Sequence, residues 1–143
     1  RYCLLSRGLG DVYKRQEPTL VQSHEWMLRE LSRNLLHNAV RHAPPGSELT
    51  VDLRSDGRHA ALTISDHGPG IDDELAARLF QPFSAGDVRA GSGLGLAICH
   101  EIVQALEGNI TLTNQVQGHK VTGLDAVVRL PLPAPLTDST PVA

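Results

Sequence analysis

Three short stretches of this chain carry residue types at spacings that suit chemistry. The first is Asp66-His67-Gly68-Pro69-Gly70-Ile71, which follows the apolar run Ala60-Ala61-Leu62-Thr63-Ile64-Ser65. An acid at a strand end, then two glycines one residue apart, makes a tight turn with accessible backbone. Glycine adopts positive φ and lets a ligand approach the main chain. Asp66 is then a fixed hydrogen-bond acceptor at a pocket mouth. The second stretch is Gly91-Ser92-Gly93-Leu94-Gly95, directly ahead of Leu96-Ala97-Ile98. A glycine-rich entry to a helix points amides and the positive end of the dipole outward, which suits an anion such as phosphate. It is not a P-loop, because no Gly-Lys-Ser/Thr follows, nor the dinucleotide fingerprint, whose spacing and preceding strand differ. The third is a helical pattern in which Asn34, Asn38 and His42 recur every four residues along one face, with Arg41 beside Asn38. Asparagine is a poor helix former, so two on one side of a leucine-rich helix need a reason. The Asn38 carbonyl oxygen suits a hard cation, and Arg41 suits phosphate. Each stretch has a plainer reading: a surface turn, a loop whose glycines relieve crowding, a solvated polar stripe.

The elements that must position these residues follow from periodicity. Residues 19–22 read as a short strand with Val21 in the core, and Ser23 as the N-cap of a helix. Met27, Leu28, Leu31, Leu35, Leu36, Ala39 and Val40 form that helix's apolar stripe, and Pro44-Pro45-Gly46 ends it. Leu49, Val51 and Leu53 alternate with polar residues, Ser55-Asp56-Gly57 turns the chain, and Ala60, Leu62 and Ile64 answer on a second strand. Asp72 or Asp73 caps a short helix over 74–80, which Gln81-Pro82-Phe83 stops, and residues 84–90 read as a mobile loop. A helix over 94–106 buries Leu96, Ile98, Ile102, Val103 and Leu106, with Gly108 as its C-cap residue. Strands over 109–113 and about 123–130 follow. The order of strand, helix, hairpin, helix, helix, hairpin predicts an α/β fold, a two-layer sandwich with one mixed sheet and helices on one face.

Length and composition narrow the class. The chain has 143 residues, 41% hydrophobic and 20% charged, with a formal net charge of -3, so one domain with a real core is expected. An acidic balance without basic runs gives no case for nucleic acid, and 3% aromatics give no stacking platform. Cys3 and Cys99 lack metal or redox spacing. No apolar run reaches the roughly 20 residues that cross a bilayer, so no membrane contact is expected of this fragment. Residues 1–16 continue no periodic pattern and read as a leader or linker outside the domain. The domain is expected over 17–132 and a disordered tail over 133–143. If the leader stands in place of a first strand, one sheet edge is missing.

The three stretches together describe a nucleotide site: an acid for the base, a helix asparagine for a metal, a glycine loop for phosphates. At this point the chain resembles the catalytic and ATP-binding domain of bacterial sensor histidine kinases, in the superfamily that also holds gyrase and mismatch-repair ATPases. The likeness runs from about residue 20 to 132. Glu30-Leu31-Ser32-Arg33-Asn34-Leu35-Leu36-His37-Asn38-Ala39 resembles the N box and Asp66-His67-Gly68-Pro69-Gly70-Ile71 the G1 box. Leu79-Phe80-Gln81-Pro82-Phe83 resembles the F box, and Gly91-Ser92-Gly93-Leu94-Gly95-Leu96-Ala97-Ile98 the G2 box.

The resemblance implies a Bergerat-type fold, a mixed sheet of about five strands with about three helices on one face. It implies ATP and Mg²⁺ as ligands and transfer of the γ-phosphoryl to a histidine on a separate helical-hairpin dimerisation domain, with a response regulator downstream. The location implied is cytoplasmic, in a full-length protein anchored in the inner membrane. By the same resemblance Asp66 accepts from the adenine amine. Asn38 holds Mg²⁺ with Asn34 and Glu30 nearby, and Arg41 lies by the phosphates. His42 takes an aromatic position against the base. Gly68, Gly70, Ile71, Phe83, Gly91, Gly93 and Gly95 shape the pocket, Ser92 and Leu94 line the phosphate approach, and residues 84–90 form a lid. Asn34, Asn38 and Arg41 are the candidate catalytic residues. Two departures stand out. The lid is short, with Arg89 its only candidate for the γ-phosphate, and Asn34 stands where gyrase-type members carry a glutamate that activates water. An amide is no general base, which favours transfer to a protein acceptor over hydrolysis. A stand-alone ATPase, a serine kinase and a non-catalytic nucleotide-binding module are the alternatives. His24-Glu25 superficially resembles an acceptor motif but leaves no room for a hairpin, so His24 reads as a surface residue. His37, His59, His67, His100 and His119 read as surface or loop.

Overall fold

The computed structural model describes residues 2–4, 13–16, 19–80 and 94–134. The elements in chain order are strands β1 (Tyr2–Leu4), β2 (Tyr13–Gln16) and β3 (Leu20–Gln22), helix α1 (Glu25–His42), and strands β4 (Thr50–Ser55) and β5 (His59–Asp66). Helices α2 (Asp73–Leu79) and α3 (Leu94–Ala105) follow, then strands β6 (Asn109–Gln117) and β7 (Lys120–Pro131). A five-stranded mixed sheet runs in the order β2-β4-β5-β7-β6, and β1 pairs with β3 in a separate two-stranded sheet. The predicted sandwich is the fold observed. Among the described residues no helix is long and apolar enough to cross a membrane.

Alternation builds the sheet's inner face. Along β5 the buried residues are Ala60, Leu62, Ile64 and Asp66, and β4 and β7 answer with Val51, Leu53, Leu124, Ala126, Val128 and Leu130. Against this face pack Leu28, Leu31, Leu35 and Ala39 of α1, and Leu96, Cys99, Ile102 and Val103 of α3. Burial at this scale stabilises by roughly 1.5–3 kcal/mol for each large aliphatic side chain. The apolar stripes are narrower than the sequence reading. Val40 is 61% exposed and Ile98 42% exposed, because each falls past the edge of the arc its helix turns toward the sheet.

Other boundaries differ for local reasons. Ser23 does not cap α1: the N-cap is His24, without a side-chain cap bond, and Ser23 is buried with its hydroxyl donating to the His24 carbonyl at 3.2 Å. Asp72 does cap α2, accepting from the Leu75 amide at 2.7 Å. At the end of α3 the left-handed position is Glu107, φ 56°, rather than Gly108. Glu107 N–H donates to Gln104 and Gly108 N–H to Val103, the paired bonds of a Schellman cap. Gly108 is needed for another reason: a Cβ there would collide with the Arg129 carbonyl oxygen.

The last hairpin is longer than predicted. β6 runs on to Gln117 and β7 begins at Lys120, with a register shift between Gln115 and Val116. The chain also stays in the fold past Leu130, since Leu132 packs against the core and donates to Arg58 O at 2.7 Å. The leading segment departs most from its sequence reading. The backbone of Tyr13–Gln16 pairs in parallel with β4, and that of Tyr2–Leu4 pairs antiparallel with β3. Strand pairing asks only for extended backbone with free N–H and C=O groups, which apolar periodicity does not report. The expected tail over 133–143 lies mostly outside the described residues.

Candidate functional site

The loop after β5 is built from its own side chains. Asp66, 3% exposed, closes β5 and turns Oδ1 back to accept from the Gly68 amide at 2.7 Å. Its second oxygen, Oδ2, makes no hydrogen bond among the described residues. A buried carboxylate with one oxygen committed to its own turn and the other open can read a donor on a ligand. Gly70 has φ 73°, which only glycine adopts cheaply. A Cβ at residue 70 would also fall 2.5 Å from Asn114 Oδ1 and 2.5 Å from Val121 Cγ1.

Helix α1 joins this loop to the start of α3. A Cβ at residue 68 would lie 2.7 Å from the His42 carbonyl oxygen, and one at residue 95 would lie 3.5 Å from Asn34 Oδ1. The C-terminal end of α1 therefore sits on the glycine turn, and its middle faces the first turn of α3. Asn34, Asn38, Arg41 and His42 span that interval, the two asparagines half-buried and the last two exposed. Among the described residues the buried Asn34 Nδ2 has no hydrogen-bond partner. Buried donors are rarely left so. An acceptor such as a phosphate oxygen would satisfy it.

The donor set also fits a hard cation. Asn38 and Asn34 offer amide oxygens, and Glu30 a carboxylate one turn further up the same helix, where it pairs with Arg33 at 3.4 Å. Among the described residues no three or more His, Cys, Asp or Glu gather as a metal cluster. A cation held mainly by ligand phosphates and water, with one or two protein oxygens, needs no such cluster.

Of the predicted site residues, Asn34, Asn38, Arg41 and His42 lie on α1, Asp66 and Gly68 form the turn at its end, Gly95 lies against Asn34, and Gly70 and Ile71 continue that turn against Asn114. Phe83, Arg89, Gly91, Ser92 and Gly93, and the lid over 84–90, lie outside the described residues, as does the side chain of Leu94. His100 is not simply a surface residue. Its ring stacks on Phe80 at 5.4 Å and 29°, which fastens the end of α2 to α3. Asn114 was not anticipated. Its carboxamide accepts from the Ile71 amide at 2.8 Å and donates to the Ile71 carbonyl at 2.6 Å. Gly123, also unanticipated, lets β7 cross directly over the Asp66 carbonyl, which a Cβ would strike. The available signal was an asparagine inside a β-run, where asparagine is uncommon. The predicted strand stopped one residue before it.

The family model described as Histidine kinase-, DNA gyrase B-, and HSP90-like ATPase matches residues 24–134. Sensor protein SphS of Synechococcus elongatus is 39% identical over 136 residues, which cover 87% of this chain and 32% of the relative. A solved mycobacterial sensor histidine kinase, MprB, superposes with a TM-score of 0.73 at 31% identity, over 85% of this chain and 79% of that one. Full-length ShkA in complex with AMPPNP superposes with a TM-score of 0.66 at 26% identity, over 87% of this chain and 25% of that one. The chain spans about a third or less of the length of the curated relatives it matches. With the family matched over most of its length, and the same sheet and helices found in a solved sensor kinase, the chain belongs to the histidine kinase-, DNA gyrase B- and HSP90-like ATPase family.

Proposed function

We propose that this domain binds Mg-ATP between α1 and the 66–71 turn and delivers the γ-phosphoryl to a histidine on a helical-hairpin dimerisation domain of the same full-length protein. A response regulator would take the phosphoryl next. The domain works on the cytoplasmic side of an inner-membrane sensor, in keeping with relatives that are themselves sensor proteins. The observation that carries the reading is Asp66: a buried acid whose Oδ2 has no hydrogen-bond partner among the described residues, at a loop seated on the end of α1. The nucleotide in the ShkA structure supports the same ligand class.

Each residue has a physical task. Asp66 Oδ2 accepts from the exocyclic amine of adenine. The buried Asn34 Nδ2, without an acceptor among the described residues, donates to a phosphate oxygen. The first turn of α3 adds the positive end of a 12-residue helix. Arg41, exposed at the C-terminal end of α1, supplies charge to the phosphates. Asn38, with Asn34 and Glu30 near it, would hold Mg²⁺, which neutralises phosphate charge when bound. None of the three stretches supplies a base at the Asn34 position, so the chain's part is positioning and charge stabilisation, as phosphoryl transfer requires.

Calorimetry tests the reading. Wild type is expected to bind ATP in the presence of Mg²⁺. Asp66→Asn keeps the bond to Gly68 through its remaining carbonyl but turns an NH₂ toward the adenine amine. Two donors then face each other, and the affinity should fall about ten- to a hundredfold. Equal binding by the two proteins would sink the assignment of the base to Asp66.

A further inference from the structure

The glycine turn is held from outside by the last hairpin. Ile71 is not in a strand, yet both its backbone groups are paired, the N–H with Asn114 Oδ1 at 2.8 Å and the C=O with Asn114 Nδ2 at 2.6 Å. One carboxamide thus does what a neighbouring strand residue would do. The same oxygen and Val121 Cγ1 stand so near Gly70 that no Cβ fits between, so the turn is wedged as well as bracketed. Asn114 itself is fixed by the ladder, in register with Leu124 of β7, which is in turn in register with Asp66. A chain of three backbones therefore runs from the open carboxylate to the far edge of its loop.

We propose that Asn114 is a positioning residue of the nucleotide site, whose bracket on Ile71 pre-forms the loop that meets the base. This rests on the reading that the 66–71 turn holds that base. A loop of two glycines and one proline offers little of its own to hold a single shape, because glycine lowers the barrier to other backbone conformations. Without the bracket, binding must order the loop, and that cost appears as lost affinity. Asparagine is the suited residue because one group of its size must accept from an N–H and donate to a C=O at once. Aspartate accepts only, unless protonated. Its neutral acid form again offers one donor and one acceptor.

The test is nucleotide affinity by calorimetry at pH 7.5, with Mg²⁺ and ATP, on the whole chain and on Asn114→Ala, Asn114→Asp and Asp66→Asn, with hydrogen exchange of the Ile71 amide followed by NMR in the nucleotide-free protein. Asn114→Ala should bind about tenfold more weakly than wild type and lose the protection of that amide. Asn114→Asp still accepts from the Ile71 N–H but, ionised at this pH, cannot donate to its C=O, so it should keep the amide protected and yet bind more weakly than wild type. A purely structural defect would not separate the two halves of the bracket, and Asn114→Asp keeps the test alive should the alanine variant fail to fold. An Ile71 amide that exchanges as fast in wild type as in Asn114→Ala, or Asn114 variants that bind like wild type while Asp66→Asn does not, would overturn this proposal alone. Wild type that binds no ATP would overturn the underlying reading of the site and the proposal with it.

Discussion

Cys99 shows how an interior silences a reactive group. Its thiol is fully buried between α1 and α3, donates to the Leu31 carbonyl at 3.7 Å, and has its pKa pushed up to about 12, chiefly by burial. The folded protein therefore holds this proton where the unfolded chain, with an ordinary thiol near 9.0, releases it. Stability from this group is intact below pH 9 and declines as pH rises from there toward 12. Folded protein at pH 8 should leave Cys99 unmodified by a thiol reagent, and urea should expose it to labelling in step with unfolding. At this scale the candidate residues were legible as types at a spacing, and the fold seats Gly68 against the end of α1 and Gly95 against Asn34; what Asp66, Gly68, Gly70, Asn34 and Asn38 bind is the proposal above. Asn114 escaped because its task is set by a residue 43 positions away, and no local pattern encodes a partner at that distance. Gly123 escaped for the same reason, since the carbonyl it must clear belongs to another strand.

Elements were legible where one face is buried. The alternation of β4 and β5 and the leucine stripe of α1 fix register by burial, and the turn between those strands announces itself through Asp56. That carboxylate accepts from the Arg58 and His59 amides, which hold its pKa below the usual carboxylate range. Ends and edges were less legible. Glu107 takes a left-handed position that glycine normally fills, because the helix cap is completed by backbone bonds and Gly108 is reserved for clearance at Arg129. The β-run through Gln115 and Val116 continues because its partner strand supplies the bonds, whatever its composition. Close approach has a measurable signature at this level. Gly123→Ala must push β7 away from the Asp66 carbonyl, so it should lower stability by about 1–3 kcal/mol. Equilibrium urea unfolding would read that as a lower midpoint, and an unchanged midpoint would contradict the clearance argument.

At the scale of the molecule, one core joins α1 and α3 to the sheet, and Leu31 sits at its centre with 1% exposure. Leu31→Ala should cost about 2–5 kcal/mol, measured by circular dichroism. Tryptophan emission is a poor probe here, because the single Trp26 is already 60% exposed. The sandwich was legible as a layer count, but the strand order was not, since periodicity says which face is inward and nothing about neighbours. That order has a consequence for synthesis. β7 is made after the other four strands of this sheet yet lies inside it, between β5 and β6. A nascent chain that has emerged only through β6 holds two unzipped edges and a half-covered core, the kind of surface on which chains adhere to one another. The sheet can therefore close only once β7 has left the ribosome, and it closes from within rather than at an edge.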